Sequence, residues 1–203
     1  MPQDTKLELS QFQLEALCNT NFFDTKREVT AVILELFNRL QLELNTVWSR
    51  HLHLKKEYHT AAAKIFRGEN YLGYPYINLD FPRLFNNDNV FAFRTMLWWG
   101  KHISFSLHLQ GKAFEQEAGK LFTALRSFEH RNYFICHHAS PWEYHFGDDN
   151  FIAVEEVLAN DTLFQKIKEN SFLKISRKLE LMEYKLLVET GKNTFEELMN
   201  CLS

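Results

Sequence analysis

Glycine and proline are scarce in this chain, at 7 and 4 of 203 residues, against averages of about 7% and 5%. That scarcity excludes collagen-like and low-complexity sequences and predicts long regular elements with few elaborate loops. Cysteine is limited to Cys18, Cys136 and Cys201, an odd number at wide spacing. It gives no disulfide framework and leaves free thiols. No run of about 18 apolar residues occurs, so no transmembrane helix is expected. The opening Met1-Pro2-Gln3-Asp4-Thr5-Lys6 has no apolar stretch behind a positive one, so no secretion signal is expected and a soluble, cytoplasmic protein is. A net charge of −3 provides no basic field, which argues against nucleic acid or an anionic membrane as partner. Gly-rich phosphate loops, nucleophile elbows and the CxxC and HExxH metal spacings are all missing, so no cofactor is expected.

What is abundant is phenylalanine, 19 residues, which predicts a core filled with rings. At this length a compact chain removes roughly 70% of its unfolded surface from water, enough to stand without staples. A single α+β domain over residues 1–203 is expected: helical over 1–68, strand-rich over 69–147 with one helix at 112–128, and helical over 148–203.

Two capping boxes, Thr5-x-x-Glu8 and Ser10-x-x-Gln13, open a first helix, and Thr25-x-x-Glu28 a second. Val29, Ile33, Leu36, Leu40, Leu44 and Val47 then recur at helical steps. The spacing predicts one bent helix or two, ending with Gly68 as C-cap. So long a stripe needs a covering surface, either the sheet or a second copy of the chain. Residues 70–147 predict an antiparallel sheet of about four to five strands, packed by the N-terminal helices and by C-terminal ones. For the latter, Asp161 is the candidate N-cap, Gly191 the C-cap, and Thr194-x-x-Glu197 a final capping box.

Residues 90–110 alternate with period two on either side of Gly100, the pattern of a hairpin. A two-residue turn at Gly100-Lys101 suits type II′. A three-residue loop shifts the register by one and segregates the faces better. It places Phe91, Phe93, Leu97, Trp99, Ile103, Phe105, Leu107 and Leu109 on one side, with Arg94, Met96, Trp98, His102, Ser104, Ser106 and His108 on the other. Met96 and Trp98 on that mixed face predict that something partly covers it. His102 and His108 lie about 20 Å apart along the strand, too far to share a metal.

A second hairpin is predicted over "ICHHASPWEYHF", with His138 opposite Glu143 and Cys136 opposite His145. Those four are acceptable zinc ligands by type, yet the spacing matches no known metal motif, and a solvated outer face is the default for polar residues on such a hairpin. Arg94 is the charge hardest to place. A half-buried guanidinium meets a carboxylate, here Asp80 or Glu143, or a bound anion. Arg50, Lys55, Lys56, Lys64 and Arg67 form a local basic run that a solvated helix face explains.

The expected function is therefore a non-catalytic interaction protein. Its aromatic sheet face, bearing Arg94, Trp98, His102, His138, Glu143 and His145, would meet a protein partner, a second subunit or a small anionic ligand. The alternative is a small-molecule hydrolase, metal-assisted or not, built on His138, Glu143 and His145.

Overall fold

The computed structural model describes residues 7–86 and 88–203; the predicted Thr5 cap lies outside them. The chain forms two compact units, a smaller one ending at Glu35 and a larger one, Leu36–Ser203. Helix α1 (Gln11–Leu17) begins with the expected capping box, Ser10 Oγ accepting the Gln13 N–H and Gln13 Oε1 accepting the Ser10 N–H. Helix α2 (Thr20–Trp48) starts earlier than the Thr25 box predicts. The Asn19 side chain accepts the Phe22 N–H at 2.9 Å and so supplies an earlier cap.

The predicted helix does not reach Gly68. A short α3 (Leu52–Glu57) follows α2, and Lys64–Tyr71 is already strand β1. Gly68 lies within that strand, opposite Tyr76 of β2 (Tyr74–Phe85), whose ring packs into the space a Cβ would fill. The basic run is therefore split, with Arg50 in the turn after α2, Lys55 and Lys56 in α3, and Lys64 and Arg67 in β1.

The sheet has seven strands, more than the four to five expected, in the order β1-β2-β3-β4-β7-β5-β6 with every pair antiparallel. The hairpin of β3 (Asn89–Trp98) and β4 (His102–Gly111) has the three-residue register, pairing Trp98 with His102 and Arg94 with Ser106. Gly100 takes φ +68°, the left-handed conformation that such a short loop requires of one residue.

Two parts of the sheet differ from expectation. Strand β7 (Phe172–Glu180) runs through the C-terminal region read as helical. Its lysines and glutamate fit a helix's polar face as well as a strand's, and only the slot between β4 and β5 decides between them. Conversely, residues 142–146 form no strand. The edge of β5 (Tyr133–Cys136) that they were expected to occupy is taken by β6 (Phe151–Ala153), pairing Ile135 with Ile152.

The remaining helices are α4 (Lys112–Ala124), α5 (Val154–Leu158), α6 (Asp161–Lys168) and α7 (Leu187–Cys201). Asn160, not Asp161, caps α6, through the Leu163 N–H. Thr194 is inside α7 and bonds back to the Thr190 carbonyl, and Gly191 is no C-cap. A Cβ on Gly191 would come within 2.9 Å of Phe105 and Leu40 side chains, so the glycine lets α7 sit close to β4 and α2. On this side of the sheet the larger unit has its rings: Trp48 lies 5.7 Å from Phe91, and Phe93 4.9 Å from Phe195. Phe37, Leu40, Leu44 and Val47 of the α2 stripe are fully buried. Among the described residues no helix is long and apolar enough to cross a membrane.

Candidate functional site

The opposite face of the sheet is where the chemistry-bearing residues gather. Register sets them in rows. Asp80, Arg94, Ser106 and Ser176 follow one another across β2, β3, β4 and β7, and the next row carries Ala92, His108 and Lys174. The predicted mixed face is fully covered: Trp98 and His102 are each 4% exposed, and Ser104, Ser106, His108 and Lys174 are buried. The cover is the segment 137–150.

That segment is a closed loop, tied at its neck by the His137 N–H to the Asn150 carbonyl at 2.9 Å. Its ends meet while its middle has no regular structure, which is the form of an Ω-loop. Side chains from the sheet hold it down. Tyr71 Oη accepts the N–H groups of Tyr144 (2.6 Å) and His145 (3.2 Å) and donates to Glu143 Oε2 at 2.9 Å. Lys174 Nζ donates to the Pro141 carbonyl at 3.0 Å and the Glu143 carbonyl at 2.5 Å, and lies 3.4 Å from the Tyr144 ring centre. Arg94 Nη1 donates to Tyr144 Oη at 3.0 Å.

The six residues expected to form a binding face are thus divided between sheet and loop. Arg94, Trp98 and His102 lie beneath the loop. Arg94 meets Asp80 through two bonds of 2.7 and 2.8 Å, the carboxylate partner expected for it. His138, Glu143 and His145 are in the loop itself, but without the predicted pairing, because 142–146 is not a strand. His138 Nδ1 bonds within the loop to Ser140, and Cys136 Sγ donates to Asn150 Oδ1. Glu143 and His145 do come together, with His145 Nδ1 3.7 Å from Glu143 and its Nε2 3.0 Å from Asp149. Among the described residues no three His, Cys, Asp or Glu are arranged to hold a metal ion.

Burial governs the electrostatics. It pushes His108 down to about 3 and His102 to about 4, with Lys174 and Lys178 respectively adding to the effect, so both imidazoles are neutral at physiological pH. Burial lowers Lys174 to about 7. For Arg94 burial acts downward, but Asp80 outweighs it and the pKa is raised. Burial also raises Tyr71 and Tyr144 to about 12 and pushes the Cys136 thiol up.

Several buried polar atoms on this face of the sheet have no hydrogen-bond partner among the described residues: Asn78 Oδ1, His102 Nε2, Ser104 Oγ and both ring nitrogens of His108. Gln110 is near enough to favour protonated His108 but does not reach hydrogen-bonding geometry. Each such atom costs about 1–3 kcal/mol unless something pairs with it. Lys174, Tyr71, Tyr144 and Asp149 were not anticipated from the sequence. The alternation of Phe172, Lys174, Ser176 and Lys178 with Leu173, Ile175, Arg177 and Leu179 was the available signal for Lys174.

The fold and site define an α+β protein whose antiparallel sheet has one dry face under helices and one polar face under a loop. Compared with known protein families, curated proteins and solved structures, the chain matches none.

Proposed function

We propose that this chain is a non-catalytic binding protein that docks a second copy of itself through its N-terminal unit. One observation carries the reading: Leu7, Phe12, Leu17, Phe22, Phe23 and Val32 are all more than half exposed within the first 35 residues. Apolar side chains scattered singly on a surface are ordinary, whereas a concentration like this marks a contact surface. Phe12, Leu17, Phe22 and Phe23 also line a groove of about 590 Å³. An amphipathic helix offering such a face is a standard docking element. The sheet face first expected to meet the partner is covered by the 137–150 loop, so docking is assigned to the helices.

Size-exclusion chromatography with light scattering tests the assignment. The full chain is expected to run as a dimer, and Phe12→Glu with Phe23→Glu as a monomer with unchanged circular dichroism. A strict monomer of the unmodified chain at high concentration removes the second copy as occupant.

A second reading, small-molecule hydrolysis, has one observation in its favour. His145 stands between the Glu143 and Asp149 carboxylates, with Nδ1 3.7 Å from one and Nε2 3.0 Å from the other, an arrangement that suits proton transfer. A screen of ester and amide substrates is its test; turnover that Glu143→Gln leaves unchanged would reject it.

A further inference from the structure

We propose that the sheet face beneath the 137–150 loop is a binding site for a small organic monoanion carrying a carboxylate, with Lys174 as its counter-ion and the loop as the plug that fills the site when it is empty. The inference stands apart from the docking surface and does not depend on it.

Lys174 is fully buried, and among the described residues its ammonium has no carboxylate at ion-pair distance. A buried cation without an anion is expensive. Its acceptors are two carbonyl oxygens of the loop, those of Pro141 and Glu143, which converge on one nitrogen as the two oxygens of a carboxylate would. Arg94 is already neutralised by Asp80. Once Lys174 is protonated the site has one charge to compensate, which matches a monoanion and not a phosphate dianion.

The surroundings supply the rest of a ligand's contacts. His108 is the cross-strand neighbour of Lys174, and neither of its nitrogens is bonded. Tyr144, Trp142 and Phe172 wall the Lys174–His108 pair with rings, so the anion should have an apolar body. Trp142 is the movable part. It stacks edge-on to His108 at 5.1 Å yet is 49% exposed, and the loop around it has no strand ladder to break.

The charge on Lys174 is set by Arg94, His108, Cys136, Tyr144 and Glu143, which face it from the neighbouring strands and the loop. Replacing carbonyls by a carboxylate favours the ammonium, so binding above pH 7 takes up a proton. Affinity then falls about tenfold per pH unit above the Lys174 pKa.

Titration calorimetry of the full chain with benzoate, in buffers of different ionisation enthalpy, is the test. Saturable one-to-one binding with proton uptake at pH 8 is expected. Lys174→Met should weaken it about 10–100-fold, the loss of a charge-assisted contact. Trp142→Ala should tighten it, and circular dichroism checks that each variant is folded. Should Lys174→Met not fold, His108→Leu serves instead, with about a tenfold loss expected. The proposal is overturned by equal benzoate affinity in wild type and variant, by phosphate or benzyl alcohol binding as tightly as benzoate, or by no saturable heat even in Trp142→Ala.

Discussion

Replacing Asp80 by alanine should cost the fold about 3–5 kcal/mol, the penalty for stranding one member of a buried ion pair. Asp80 is 3% exposed at its side chain and Arg94 17%, and the two are joined by a bidentate pair of bonds. Without the carboxylate, the guanidinium keeps only Tyr144 Oη as a hydrogen-bond acceptor among the described residues, and at 17% exposure it is poorly solvated. The change should also loosen the 137–150 loop, since Arg94 holds Tyr144 from below. Urea denaturation followed by circular dichroism reads the cost. Removing both charges, Asp80→Leu with Arg94→Met, should recover most of it, because an apolar pair leaves nothing stranded. A loss below about 1 kcal/mol in the single variant would put the pair in the class of exposed surface bridges and refute the reading.

The second large effect is a pH dependence centred on Lys174. Burial lowers its pKa from 10.5 to about 7. Between those values the unfolded chain holds a proton that the folded chain does not, so folding releases it. Stability attributable to this residue therefore rises with pH across the window, from about 7 to 10.5, and is flat below it. Measured against Lys174→Met, wild type should gain on the order of 5 kcal/mol between about pH 6 and pH 10.5. Thermal or urea melts of the two proteins at matched pH isolate the contribution, since their other titrating groups are shared. Parallel stability curves for the two would show that Lys174 is charged throughout.

Much of the architecture could be read from period alone. The α2 stripe and the alternation through residues 90–110 each specify a face, and the segregation of apolar side chains chose the three-residue hairpin loop correctly. Local pattern failed where tertiary context decides. In β7 the lysines at 174 and 178 and the arginine at 177 suit a helix surface as readily as a strand. Nothing nearby in sequence announces that β4 and β5 leave a slot for it. "WEYHF" alternates like a strand but has no partner, because Phe151–Ala153 reaches β5 first. The candidate site was half visible for the same reason. Arg94 sits on a strand correctly assigned, and its partner is one of the two carboxylates expected, Asp80, whereas Lys174 was hidden inside a segment read as helix. His138 and Glu143 were set opposite each other by a hairpin that does not form.

The placement of β7 has a consequence for how the molecule is made. Strand β4 ends at Gly111 and its outer neighbour begins only at Phe172. While a ribosome is extending the chain through that interval, one edge of β4 stays open to any passing strand, and β5 with β6 has nowhere to dock. Long-range pairing of this kind is slow and leaves nascent chains vulnerable to mispairing. Expression yield and chaperone demand should therefore be governed by residues 172–180 more than by the β1–β4 strands made before them.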